Sequence, residues 1–275
     1  MSTISKRPRH EGESHDDDED EDEEDELSSD DEEVEQDQGD AGKNGAPVSS
    51  ATSSMPRPDS SNSLSGGGAA LPAPSCSKLS YALVCSSNMN RSMEAHAAFL
   101  NAGFTKVVSL GTGRMVRLPA ATAEGQVSFS FGTPYTEILK ELEGQAQADA
   151  KLQEFYRRTK LLDILRRNAR IKTAPERLQN IENLTYDVIV CFDIRVYDAV
   201  QEDLQCREAR DLEPICVICI DTKDDPQQAV IAGRVAVNLA QKLEESDDLA
   251  TDAPEIVETF MEEEGRRLLF QICYL

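Results

Sequence analysis

Apolar residues are grouped along the chain in a way that predicts strand and helix in turn. Lys78 to Cys85 (KLSYALVC), Tyr186 to Phe192 (YDVIVCF) and Ile215 to Ile220 (ICVICI) are short, nearly continuous apolar runs. Runs of that length, bounded by polar loops, read as strands buried on both faces. Lys106 to Leu110 is a further strand, closed by Gly111-Thr112-Gly113, and Arg267 to Tyr274 is a terminal one. Between them lie helical patterns. Arg91 to Ala102 places Met93, Ala97, Ala98 and Leu100 at helical spacing and stops at Gly103. Further helices are expected over Tyr135–Leu142, Asp149–Asn168, Ile194–Leu204, Gln227–Leu243 and Pro254–Glu264. Alternating Val127, Phe129 and Phe131 predict a small hairpin between Arg114 and Gly132. Strand and helix in alternation imply crossover units, hence an α/β domain whose parallel sheet carries helices on both faces. In such sheets the ligand site lies beyond the carboxyl ends of the strands, so the loops after the first strand and after Ile220 should carry the chemistry.

The pattern covers only part of the chain. The 275 residues carry a formal charge of −24, of which −15 falls on residues 1–78. From Glu11 to Asp40 there are 20 acids in 30 residues and no base, and no aromatic residue precedes Tyr81. Such a segment cannot bury enough apolar area to offset the entropy of ordering. The expected organisation is a disordered acidic leader and linker, 1–78, followed by one catalytic domain, 79–275. Lys6-Arg7-Pro8-Arg9 is a basic cluster of the kind that directs nuclear import. An acidic surface repels phosphate backbones, so no direct contact with nucleic acid is expected. The longest apolar stretch, Ala229 to Ala240, is interrupted by Arg234 and Asn238, so no membrane span is expected. Seven irregularly spaced cysteines suit a reducing compartment. Cys216 and Cys219 form a CxxC, but three residues apart on a strand they should face opposite sides, so neither a zinc site nor a disulfide is expected there.

The loop after the first strand is Cys85-Ser86-Ser87-Asn88-Met89-Asn90-Arg91-Ser92. Five short residues between a cysteine and an arginine let the backbone wrap into a half-ring with its N–H groups aimed at one centre. The next helix adds its positive end. Arg91 closes the ring with a fork suited to a tetrahedral oxyanion. Cys85, at the base, sits in a field that favours the thiolate. Ser92 is placed to donate a hydrogen bond to it, and Asn88 and Asn90 to brace the loop. Expelling an alkoxide also needs a proton donor. The loop after Ile220 offers Asp221, Asp224 and Asp225, and spacing alone does not choose among them.

VCSSNMNRSMEAH (Val84 to His96) resembles the signature of the Ssu72 family of RNA polymerase II C-terminal-domain phosphatases. GTGRMVRLP (Gly111 to Pro119), RNARIKTAPERLQN (Arg167 to Asn180), DIRVYDAVQEDL (Asp193 to Leu204) and the Asp221 loop are also similar to that family. The likeness spans about Ser80 to Leu275 and leaves the leader outside. It implies a flavodoxin-like sheet, akin to low-molecular-weight tyrosine phosphatases, with an added hairpin subdomain. It further implies a metal- and cofactor-free phosphatase that forms a phosphocysteine. The substrate implied is phosphoserine at the fifth (sometimes seventh) heptad position of the polymerase tail, with the following peptide bond to proline in cis. The implied setting is nuclear mRNA 3′-end processing and transcription termination, on a symplekin-like scaffold. By this likeness Cys85 is the nucleophile, Arg91 the phosphate arginine and Asp224 the general acid, while Arg117, Leu118 and Pro119 contact the peptide. Asp225, directly before Pro226, is expected to cap the next helix. The competing readings are a low-molecular-weight tyrosine phosphatase, which would use the Asp225-Pro226 pair, an arsenate reductase, which needs relay cysteines, and a non-catalytic phosphopeptide adaptor.

Overall fold

The computed structural model describes residues 77–121, 127–208 and 212–275; the acidic leader expected over 1–78 lies, but for Ser77 and Lys78, outside them. Seven strands and seven α-helices follow one another among these residues. The order is β1 (Tyr81–Cys85), α1 (Arg91–Asn101), β2 (Val107–Gly111), β3 (Val116–Arg117), β4 (Ser128–Phe129), α2 (Tyr135–Ala148), α3 (Ala150–Thr159), α4 (Leu161–Ile171), β5 (Val188–Cys191), α5 (Ile194–Cys206), β6 (Pro214–Cys219), α6 (Pro226–Leu243), α7 (Leu249–Glu264) and β7 (Leu269–Tyr274).

Five strands form one sheet in the order β2-β1-β5-β6-β7. The first four are parallel, and their order reverses between β1 and β5, which puts the switch point beside Cys85. The fifth runs the other way: β7 pairs with β6 antiparallel, Ile215 opposite Cys273. It follows α7 directly and closes the sheet at an edge, where direction is unconstrained by a further crossover. β3 and β4 make the separate antiparallel hairpin.

Alternation along each strand divides the core. Tyr81, Leu83, Val188, Val190, Cys216 and Ile218 point to the face covered by α1, α6 and α7. Ala82, Val84, Ile189, Cys191, Val217 and Cys219 point to the face covered by α5. Cys216 and Cys219 thus lie on opposite faces, and burial pushes each thiol up to about 12. A third apolar cluster joins α2 and α4 to Met89 and Met93 beside the first loop, and to Val116 and Leu118 of the hairpin segment.

Local differences from the pattern have local causes. Helix α1 ends as expected, with Gly103 at φ +92°. The helix expected over 149–168 is instead two, broken at Lys160 with φ +55°. Buried Tyr156 and Leu161 are five residues apart, a spacing that a straight helix would send to different sides. The break lets both pack on α2. Helix α7 begins at Leu249 rather than at Pro254, because Asp248 accepts hydrogen bonds from Thr251 and caps a turn upstream of the proline.

Candidate active site

The loop from Ser86 to Asn90 is held by its carbonyls. Thr112 N–H donates to the Cys85 carbonyl at 3.0 Å, and Gly113 N–H to that of Ser86 at 2.9 Å. The Tyr135 hydroxyl donates to the Asn88 carbonyl at 2.5 Å, and the Asn168 amide to that of Met89 at 2.8 Å. Arg167 reaches the Met89 and Asn90 carbonyls and pairs with Glu94. Each trans peptide sets its N–H opposite its C=O. Carbonyls drawn outward therefore leave the N–H groups of Ser86, Ser87, Met89 and Asn90 turned into the loop. Asn88 takes the left-handed conformation, φ +51°, that the half-ring needs. Gly111 is required by proximity, since a Cβ there would come within 2.7 Å of the Ser86 carbonyl, and one on Gly113 would sit tightly against it at 3.0 Å.

Cys85 lies at the floor, 3% exposed, with Sγ 3.0 Å from Ser92 Oγ. The direction of that bond is fixed two steps away. Asn88 Oδ1 accepts from the Glu176 N–H at 3.1 Å, so its amide nitrogen is the atom 3.1 Å from Ser92 Oγ. Ser92 accepts from Asn88 and has its own hydrogen free for the sulfur. Lys172, its ammonium less basic than usual because it is buried, also contacts Asn88 Oδ1 and the Ser109 carbonyl. On α1 itself, His96 Nδ1 is 2.9 Å from Ser109 Oγ, and burial first, then Lys172, lowers its pKa to about 4.

Arg91 is the first residue of α1 and 5% exposed. Its Nη1 meets three acceptors: the Phe192 carbonyl at 2.9 Å, Asp193 Oδ2 at 3.0 Å and the Thr222 carbonyl at 2.8 Å. Its Nε is buried without a hydrogen-bond partner, 3.7 Å from Asp224 Oδ1. Asp224 is bound by the Asn90 amide at 2.9 Å and its side chain is 63% exposed. Asp225 is occupied otherwise: its Oδ1 accepts from Gln227 and Gln228 N–H and caps α6. The Asp221 side chain is exposed at the cleft margin.

The hairpin segment completes the surroundings. Ser87 Oγ accepts the Arg117 N–H at 3.2 Å, which ties the hairpin to the loop. Arg117, Leu118 and Pro119 border both a cleft of 580 Å³ over Ser86, Arg91 and Asp224 and a groove of 270 Å³ reaching Met89, Leu161 and Ile164. A larger cleft of 910 Å³ opens at the other end of the sheet, between Tyr186, Pro214 and Leu249, and among the described residues no cysteine, serine or histidine lines it. All residues read from the sequence as site residues, from Cys85 to Ser92 with Arg117–Pro119 and Asp224, come together at the carboxyl end of the sheet. Sequence reasoning missed Asp193, Tyr135, Arg167, Asn168 and Lys172. Asp193 had a usable signal, being the first polar residue after the Tyr186–Phe192 run.

Known proteins match the same part of the chain. The family model described as Ssu72-like protein matches residues 79–275. A bovine SSU72 phosphatase of the RNA polymerase II C-terminal domain is 37% identical over 198 residues, 72% of this chain and 98% of its own. The Dictyostelium discoideum protein of that name is 36% identical over 195 residues, 70% of this chain and 88% of its own. Among solved structures, Drosophila melanogaster Ssu72 with symplekin, bound to a cis peptidomimetic C-terminal-domain peptide carrying phosphoserine at position five, superposes with a TM-score of 0.66. It is 37% identical and covers 72% of this chain and all of that one. A second Drosophila structure, described as the serine phosphatase of the RNA polymerase II C-terminal domain, gives 0.67 at 36% identity with the same coverage. With its cysteine and arginine at the ends of one five-residue loop, and with this likeness along the whole domain, the chain belongs to the Ssu72 family.

Proposed function

We propose that the protein is a cysteine-dependent phosphatase of the phosphorylated C-terminal domain of RNA polymerase II, acting on phosphoserine followed by proline. The observation that carries this reading is that one loop holds both Cys85, its Sγ bound to Ser92, and the buried guanidinium of Arg91, whose Nε has no hydrogen-bond partner. An unpaired buried donor is costly, and a phosphoryl oxygen would satisfy it.

In the first step the Cys85 thiolate attacks phosphorus in line. The inward N–H groups of Ser86, Ser87, Met89 and Asn90 and the Nε edge of Arg91 bind the equatorial oxygens as charge spreads onto them. Asp224 gives its proton to the departing serine oxygen. In the second step water attacks the phosphocysteine, Asp224 takes a proton from it, and Ser92 stabilises the returning thiolate. Asp225 is a poor rival for the acid, because its carboxylate is bound to the helix it caps. That favours the serine phosphatase over a tyrosine phosphatase built on an Asp-Pro pair.

The substrate side rests on the relatives, which are named polymerase-tail phosphatases, and on the groove beside the cradle. Leu118, Pro119, Leu161 and Ile164 give it apolar walls suited to proline. The relative bound to symplekin supports a symplekin-like scaffold as partner, with a role in nuclear mRNA 3′-end processing. The domain begins near Ser77, whose side chain is buried and accepts the Thr105 N–H, while Glu244 accepts from Lys78 and Leu79 N–H. The test is phosphate release from heptad peptides phosphorylated at each serine in turn. Fastest release from the fifth position supports the reading. Release from phosphotyrosine peptides alone, or none at all, contradicts it.

A further inference from the structure

Asp193 stands at the carboxyl end of β5, on the far side of the switch point from Cys85, and its side chain is only 15% exposed. Its two oxygens have different tasks. Oδ1 accepts the Arg195 N–H at 3.0 Å and caps α5, and Oδ2 accepts from Arg91 Nη1 at 3.0 Å. The carbonyls of Phe192 and Thr222 also accept from Nη1, and two hydrogens shared among three acceptors leave none for a ligand. Only the edge formed by Nε and Nη2 is left to bind an oxyanion.

We infer that Asp193 is a positioning residue that fixes which edge of Arg91 meets the phosphoryl group, an inference that rests on the phosphatase reading. The two carbonyls alone would satisfy the hydrogens of Nη1 but supply no charge. Arg91 sits between two carboxylates, with Asp224 3.7 Å from Nε on the very edge the phosphate needs. Without the charge of Asp193, the guanidinium is drawn toward Asp224, and its edge is no longer presented to the cradle. A misplacement of about 1 Å at such a group costs on the order of 100-fold in rate. Asp193 bears a negative charge near a substrate dianion, so a direct role would oppose binding; its benefit passes through Arg91.

The double task supplies the test. Asparagine caps helices as well as aspartate does, so Asp193→Asn keeps the α5 cap. It also sets an amide N–H₂ against Nη1, donor against donor, and removes the charge. Asp193→Ser caps as well and lacks the second oxygen. With tungstate as oxyanion probe, calorimetry on the full chain should show both variants melting as the unmodified protein does, with binding about 10- to 100-fold weaker. In an Arg91→Lys background, Asp193→Asn should change tungstate binding by no more than about 2-fold, because the guanidinium it acts through is gone. Peptide turnover should fall in kcat as well as rise in KM. Tungstate binding by both variants within about 2-fold of the unmodified protein, or an equal loss in the Arg91→Lys background, would overturn the inference. A protein that binds tungstate in this Asp193-dependent way yet hydrolyses no phosphoserine peptide would instead sink the phosphatase reading and leave the role of Asp193 standing.

Discussion

The two loops that meet over the sheet are built in opposite ways. The cradle from Cys85 to Ser92 is mostly buried, and carbonyls along it are tied by donors from β2, α2 and α4 or their flanks. The loop from Asp221 to Asp225 is mostly exposed, and the Asp224 carboxylate is joined to the cradle chiefly through one Asn90 amide. The difference matches what each end must do. A phosphoryl group is the same in every substrate and rewards a rigid, preorganised site. The leaving group is part of a polypeptide that has to enter and depart, so the proton donor sits where the chain passes.

The comparison predicts effects of unequal size. Arg91→Lys breaks the rigid side: it keeps the charge but loses the fork, and kcat/KM for phosphopeptide and aryl phosphate alike should fall by about 1000-fold. A loss confined to a few-fold would mean the arginine does not clamp phosphate. Asp224→Asn probes the open side, and its effect should follow the leaving group. Phosphoserine peptide hydrolysis should drop by roughly 100-fold or more, whereas nitrophenyl phosphate, whose phenolate departs unaided, should lose only a few-fold. Should Asp225→Asn alone show this dependence, the proton donor has been misassigned.

The last effect is on stability rather than rate, and concerns the support behind the cradle. His96 is buried neutral, with its pKa lowered to about 4. The unfolded chain binds a proton there below about 6.5, so this stability is intact at pH 7 and is lost as pH falls from there toward 4. The loss should approach roughly 3 kcal/mol, read by urea unfolding at each pH. His96→Asn should flatten that slope, and an unchanged slope would remove His96 from the account.

What the sequence made legible was local. β1, β5 and β6 are continuous apolar runs, and the cysteine and arginine of the cradle are a single loop apart. Asp225 could be read as a cap because its proline is adjacent. The unread part comes from distance along the chain. Tyr135 lies 47 residues and Asn168 79 residues from the carbonyls they hold, and Asp193 is 102 residues from Arg91. No spacing rule links such positions, and only the crossover topology brings them together. The break at Lys160 and the direction of β7 were hidden for a related reason, since packing partners decide both.

The most direct test of the account is capture of the covalent intermediate on the rigid side. Rapid quenching of the reaction with a fifth-position phosphoserine peptide, followed by digestion and mass spectrometry, should find one phosphate on the fragment containing Cys85. It should form before free phosphate accumulates, be absent from Cys85→Ser, and be unaffected by EDTA. Phosphate release with no labelled cysteine, or full turnover by Cys85→Ser, would contradict the account.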